Sequence, residues 1–213
     1  MLLYNFFNSS TSYRVRIALA LKGLEYDYQG INLRSGEQRS NGYLELSPAA
    51  SVPLLVTDEG IALSQSLAII DYLDARHPEP RLIPEQPLAR TRVLEVANLI
   101  ACDIHPINNL RVLGYLQKTL GVSDAEKSAW YQHWVTEGLA AVETLLARHG
   151  HGPYCFGDSP TLADCCLVPQ VANALRMNCA LESFKRVMAI HQHCLEHPDF
   201  IRAAPSLQPD YVS

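Results

Sequence analysis

Apolar positions in the first third of the chain change their spacing several times. Leu2 to Phe7 is a short, nearly unbroken apolar run and predicts a strand. A helical spacing follows, with Ile17, Ala20, Leu21 and Leu24 at i, i+3, i+4 and i+7, Ser12 as the expected N-cap and Gly23 as the closing residue. Glu25 to Asn32 predicts a second strand, and the polar stretch after it holds one short helix near residues 40–46. Pro53 to Thr57 and Ile61 to Leu63 predict a hairpin around Asp58-Glu59-Gly60. Gln65 to Arg76 returns to helical spacing, with Ile69, Tyr72 and Leu73 on its apolar side. The order β-α-β-(α)-β-β-α describes a sheet, part parallel and part antiparallel, sandwiched by helices.

The pattern changes at His77 to Pro87, where Pro78, Pro80, Pro84 and Pro87 are too many for a helix or a central strand. Beyond it only helical spacing recurs. Val93, Val96, Ala97, Ile100 and Ile104 form one stripe, and Pro106 is expected to kink or break that helix. Trp134, Gly138, Ala141 and Leu145 predict the buried stripe of the next. Thr161-Leu162-Ala163-Asp164 reads as a helix start in which the threonine caps and Asp164 reaches back, and a last helix covers about residues 183–196. The expected organisation is an α/β domain over residues 1–77, a linker over 78–87 and an all-helical domain over 88–213.

The composition fits two small globular domains: 213 residues, 48% hydrophobic and 18% charged. Residues 1–80 carry 6 bases and 9 acids, residues 81–213 carry 11 and 13, so no basic surface for nucleic acid is expected. No apolar run approaches the ~20 residues of a membrane span, and MLLYNFFNSS has neither the cationic start nor the apolar core of a signal peptide. Six cysteines without a CxxC read as reduced thiols of a cytoplasmic protein, most of them small core residues. Of His191, His193 and His197, the pair His193 and His197 at i and i+4 lacks a third ligand or an HExxH pattern, so no metal is expected. Arg14 and Arg16, flanking an apolar helix, are expected to form ion pairs or to serve a dimer interface.

Three features point to a ligand. Asn8-Ser9-Ser10-Thr11-Ser12 places four hydroxyls where a helix start exposes unpaired N–H groups and a positive dipole end, more than one cap requires. Val52-Pro53 precedes a strand, and a cis peptide there would expose the Val52 backbone to a peptide-like ligand. Gln65-Ser66 opens another helix, suited to a carboxylate. Together they suggest an extended, acidic, peptide-like ligand.

SSTSYRVRIALALKG, SVPLL and SQSLAIIDYL, in this order and spacing, resemble the thioredoxin-like domain of a glutathione transferase, and SSxSxRVRIAL is characteristic of the zeta class. The resemblance continues through CDIHPINN and FGDSPTLADCCLVPQVANALR, so it spans nearly the whole chain. It implies a thioredoxin-like α/β domain followed by an all-α domain, glutathione as cofactor, a cis proline, and a cytoplasmic homodimer. It implies that Ser9, Ser10 and Thr11 hold the glutathione thiol, with Ser12 beside them. Gln38, Val52, Gln65 and Ser66 would bind the tripeptide backbone and γ-glutamyl end, and His105, Asn109 and Arg111 would also face glutathione. His105 and Asn109, at i and i+4, would share a helix face. Arg176 would hold a carboxylate of a small dicarboxylate oxo-acid substrate. The chain departs from the family at Thr11, commonly cysteine, and at Asn8, where many relatives carry an arginine able to grip a carboxylate bidentately.

The activity this implies is glutathione-dependent cis–trans isomerisation of maleylacetoacetate or maleylpyruvate. A thiolate adds to the conjugated double bond, the resulting single bond rotates, and expulsion of the thiolate leaves the trans isomer. Lowering a thiol pKa by two units needs about 2.7 kcal/mol. A helix terminus supplies about 0.3–1 kcal/mol and a hydrogen bond to a charged group about 1.5–3 kcal/mol, so a hydroxyl carries most of the effect. The alternatives are a transferase or dehalogenase acting on small α-halo acids with the same thiolate, and a non-catalytic glutathione-binding module.

Overall fold

The computed structural model describes residues 1–212. The chain forms two compact units, one from Met1–Leu82 together with the segment from Leu195 onward, the other from Ile83–Cys194. The first unit holds strands β1 (Leu2–Asn5), β2 (Asp27–Gly30), β3 (Leu54–Val56) and β4 (Ala62–Ser64), with helices α1 (Ser10–Leu21), α2 (Asn41–Leu46) and α3 (Ser66–Arg76). The strand order is β2-β1-β3-β4, with β2 parallel to β1 and the β1–β3 and β3–β4 pairs antiparallel. The mixed sheet and the hairpin around residues 58–60 are as expected; both early strands are shorter than the apolar runs.

Helix α1 begins three residues earlier than its spacing suggests. Ser9, not Ser12, is the N-cap, its Oγ accepting from Ser12 N–H at 3.2 Å. Ser12 is fully buried and its Oγ accepts from Phe6 N–H at 3.4 Å. Every residue from Ser12 to Ala20 is buried, Arg14 and Arg16 included. Gly23 closes the helix at φ 63° as expected. Lys22, at the C-cap, is buried and donates to Asp74 Oδ1 at 2.8 Å, His77 O at 2.7 Å and Pro80 O at 2.8 Å. Asp74 also accepts from Leu82 N–H at 2.7 Å, so one buried ion pair pins the proline-rich stretch after α3.

The second unit holds α4 (Pro87–Asn98), α5 (Leu110–Lys118), α6 (Asp124–His149), α7 (Leu162–Arg176) and α8 (Lys185–Cys194). The expected α4 stripe is buried throughout: Val93, Val96, Ala97, Ile100 and Ile104 are at most 1% exposed. Its last turn, Leu99–Ile104, winds as a π-helix, Pro106–Asn108 forms a 3-10 turn, and α5 starts afresh. Pro106 therefore breaks the helix, because it has no N–H to continue it. The α6 stripe differs from expectation: Tyr131, Val135, Leu139, Val142 and Leu146 are buried, Ala141 is exposed, and Trp134 and Leu145 are half-buried. Apolar residues on both flanks of the true stripe make the phase ambiguous. Gly138 still has a packing role, since a Cβ there would lie 2.3 Å from Ile104 Cγ1.

Asp164 behaves as expected and does more. Its Oδ2 accepts from Thr161 N–H at 2.8 Å and Thr161 Oγ1 at 2.9 Å, and its Oδ1 accepts from Cys155 N–H at 2.8 Å. Burial pushes this carboxyl up, while these donors pull it back. All six cysteines are free thiols, five buried and Cys102 exposed.

Residues 195–212, expected in the helical domain, pack with the first unit instead, while the division at Leu82/Ile83 falls inside the expected linker. Helix α9 (Pro198–Arg202) packs on α1. Arg202 donates to Ala20 O at 3.1 Å, and Arg16 donates to Ala203 O at 3.0 Å.

Candidate active site

Strand β1 delivers the chain into a tight turn in which Ser9 N–H donates to Phe6 O at 3.0 Å, and α1 starts directly after it. Ser9 Oγ and Thr11 Oγ1 are 2.9 Å apart, and Thr11 Oγ1 donates to Val52 O at 3.0 Å. A hydroxyl carries one proton. Thr11 spends its own on Val52, so Ser9 is the donor to Thr11 while accepting from Ser12 N–H. Ser9, Thr11 and Val52 are thus joined in one directed chain. Ser10 is buried in the first turn of α1, and Asn8 is half-buried in the turn before it. The Val52-Pro53 peptide is cis, the isomer that sequence leaves open.

Ser66 is buried at the start of α3, and its Oγ accepts from Arg14 Nη1 at 3.3 Å. Arg14 lies on α1, so one buried guanidinium ties the two helix starts together. Gln65 precedes Ser66 at φ 69°, a left-handed value that a non-glycine residue adopts at a cost of about 1–3 kcal/mol. That strain turns the chain sharply into α3 and leaves the Gln65 side chain exposed. Gln38 lies in the 3-10 turn Glu37–Arg39, and its Oε1 is buried without a hydrogen-bond partner.

The remaining expected residues belong to the second unit. His105 and Asn109 do not share a helix face, because the break at Pro106 separates them. Asn109 has an extended backbone and caps α5, its Oδ1 accepting from Val112 N–H at 3.1 Å. Arg111 is exposed on the first turn of α5. Trp130 Nε1 donates to Ile107 O at 3.1 Å and steadies the turn between them. Arg176, exposed on the last turn of α7, donates to Asn173 Oδ1 at 2.6 Å, which braces its guanidinium.

Several groups important to this geometry are not evident from spacing. Arg16, only 1% exposed, turns into the first unit and donates to Asn5 Oδ1 at 3.0 Å, Phe6 O at 3.4 Å and Phe7 O at 3.0 Å, besides Ala203 O. Burial pushes its guanidinium below the ordinary value, and nearby Tyr28, Tyr26, Tyr13 and Asp210 oppose that. A helix apolar all round must be buried, so its arginines must be too, and this was the available signal. Asn108 is buried with neither amide atom hydrogen-bonded.

The family model described as "Glutathione S-transferase, N-terminal domain" matches residues 8–76, and that described as "Glutathione S-transferase, C-terminal domain" matches residues 128–201. The chain is 47% identical over 212 residues to a maleylacetoacetate isomerase of Pseudomonas aeruginosa, covering 99% of this chain and 98% of the relative. A holo structure of a maleylpyruvate isomerase, described as a bacterial glutathione S-transferase of the zeta class, superposes with a TM-score of 0.96 at 45% identity over all of both chains. A maleylacetoacetate isomerase of Anaeromyxobacter dehalogenans, with dicarboxyethyl glutathione and citrate bound in its active site, superposes with a TM-score of 0.88 at 36% identity, covering 99% and 97% of the two chains.

Proposed function

The chain belongs to the glutathione S-transferase family, in its zeta class, and from that premise we propose that it is a glutathione-dependent cis–trans isomerase of maleylacetoacetate or maleylpyruvate. The observation that carries this reading is the directed chain Ser9–Thr11–Val52 at the start of α1. Dicarboxyethyl glutathione, bound in the Anaeromyxobacter relative, is the kind of thioether that forms when a thiolate adds to an unsaturated diacid. The proposed reaction uses the same addition and then reverses it.

Ser9 is the hydroxyl that activates the thiol. Turning its proton from Thr11 to sulfur gives up a neutral hydrogen bond of about 0.5–1.5 kcal/mol and gains one to a charged group of about 1.5–3 kcal/mol. Thr11 stays on Val52, and Ser9 keeps its acceptor bond from Ser12, so the exchange needs only one rotor to move. This explains how threonine serves where relatives carry cysteine: its task is to hold Val52 and orient Ser9, not to supply a thiol. Ser10 and Ser12 complete the helix start. Val52 and Gln38 bind the tripeptide backbone, the start of α3 at Gln65 and Ser66 takes the γ-glutamyl carboxylate, and His105, Asn109 and Arg111 contribute to glutathione binding. Arg176 holds a substrate carboxylate, with Asn8 a weaker polar contact. The thiolate forms a C–S bond as the double-bond electrons move onto the conjugated oxygen. The single bond rotates, and those electrons return as the C–S bond breaks, so glutathione is regenerated. A homodimer in the cytoplasm belongs to the same reading. No helix among the described residues is long and apolar enough to cross a membrane.

The test is incubation of the purified protein with each substrate, with and without glutathione, following loss of the cis isomer by absorbance and titrating thiol at the end. Isomerisation that requires glutathione and conserves thiol supports the reading. Ser9→Ala is expected to slow it by about 10²–10³-fold. Thiol consumption or halide release from α-halo acids without isomerisation would replace it with a transferase.

A further inference from the structure

The turn that carries Ser9 is held from the far end of the chain. The ladder between β1 and β2 ends with Ile31 N–H donating to Asn5 O at 2.8 Å. The next amide on that side, Phe7 N–H, donates to Asp210 Oδ2 at 3.1 Å, in place of a strand carbonyl. The other carboxylate oxygen, Oδ1, accepts from the Tyr28 hydroxyl on β2. Gly30 makes room for this approach, since a Cβ there would meet Asp210 Cβ at 3.3 Å and Oδ2 at 3.4 Å. The Tyr211 ring stands edge-on to Phe7, with centroids 5.4 Å apart. Gln208, buried, donates from Nε2 to Arg202 O at 3.1 Å and Ala204 O at 2.8 Å, which fixes the segment leading to Asp210. Arg16 meanwhile holds Phe6 O and Phe7 O. Both peptide groups of Phe7 are therefore fixed by side chains from outside the turn.

We propose that Asp210 is a positioning residue for the reaction, a strap that sets the Phe6–Ser9 turn and so aims the Ser9 hydroxyl at the glutathione sulfur. The inference rests on the functional reading above. A carboxylate suits the task because it accepts from Phe7 N–H and Tyr28 O–H at once, each as a charge-assisted hydrogen bond. An asparagine has one acceptor oxygen and would turn its NH2 group toward one of the two donors. Misplacing a catalytic group by about 1 Å can cost about 100-fold in rate even when the altered residue lies away from the chemistry.

The experiment compares Asp210→Asn and Tyr28→Phe with the unaltered chain. For each, the thiol of bound glutathione is titrated by its ultraviolet thiolate absorbance, kcat and KM for isomerisation are measured, and the unfolding midpoint is recorded. In Asp210→Asn the bound thiol is expected to titrate at higher pH and kcat to fall about 10- to 100-fold, with KM for glutathione little changed. Tyr28→Phe, which keeps the Phe7 bond, is expected to shift both in the same direction by less. A merely structural role would lower the unfolding midpoint and leave the thiol titration and kcat alone, and that result overturns the proposal. If Asp210→Asn does not fold, Tyr28→Phe decides, with an unmoved titration and kcat overturning it. Failure of the unaltered chain to isomerise either substrate counts against the functional reading and takes this inference with it. Activity in the unaltered chain with unmoved variants counts against the strap alone.

Discussion

In the turn from Phe6 to Ser9, side chains of α1 and of residue 210 hold the backbone, whereas the turn from His105 to Asn109 is held largely by its own neighbours. Phe6 and Phe7 offer four peptide groups, and Ser12, Arg16, Asp210 and Ser9 engage all of them. In the other turn the backbone bonds are local, His105 N–H to Ile100 O at 3.0 Å and Asn108 N–H to His105 O at 3.2 Å, with Trp130 an outside contact. Asn108 there buries an amide that nothing satisfies. A turn fixed in advance stabilises developing charge without reorganising. A turn with unspent polar atoms has capacity for a new partner but gives up stability to keep it.

Replacing Arg16 by methionine should have the largest effect. It strands the Phe7 and Ala203 carbonyls and the Asn5 amide oxygen in a buried place, while Phe6 O keeps its bond from Ser9 N–H, and a loss of about 3 kcal/mol or more is expected in denaturant unfolding. A loss under about 1 kcal/mol would mean that the turn holds itself and would erase the contrast. Gly138→Ala tests how firmly the second region is packed. The added methyl must displace the buried Ile104 side chain, so a loss of about 1–3 kcal/mol should exceed the gain of about 1 kcal/mol in helix propensity. Stabilisation instead would show that the π-helical turn yields easily. Asn108→Leu should go the other way, raising the unfolding midpoint by up to about 1 kcal/mol of stability, because it removes two unpartnered polar atoms. A clear loss would show that the amide is satisfied after all. The smallest effect separates the units by pH. Burial lowers the pKa of His191, on α8, below its ordinary 6.5. The unfolded chain therefore takes up the proton more readily, and this contribution is full above about pH 6.5 and lost as the pH falls below it. Stability measured from pH 7 to pH 5 should fall less steeply in His191→Gln than in the unaltered chain.

Much of this was readable where the controlling physics is local. The hairpin at 58–60, the capping by Thr161 and Asp164, the closing Gly23 and the break at Pro106 each follow from a few adjacent residues. The phase of α6 was not, since Trp134 and Leu145 compete with the residues actually buried, and hydrophobicity alone does not choose between faces some 100° apart. The N-cap was misplaced within a run of four hydroxyls, any of which has the right chemistry. The proposed site residues of the first unit come from the resemblance and the hydroxyl cluster. Nothing local links Asp210 to Phe7, 203 residues apart, and only folding makes that contact visible.

Lys22 offers a chemical clock. Of the four lysines in the chain, Lys118 and Lys185 are exposed and Lys127 is partly so, while the Lys22 ammonium is enclosed by Asp74 and two carbonyls. An amine-reactive label offered to the native protein should mark those three promptly. It should reach Lys22 only at the rate at which the first unit opens, so that mass spectrometry of one peptide over time counts openings too rare to register in a melting curve.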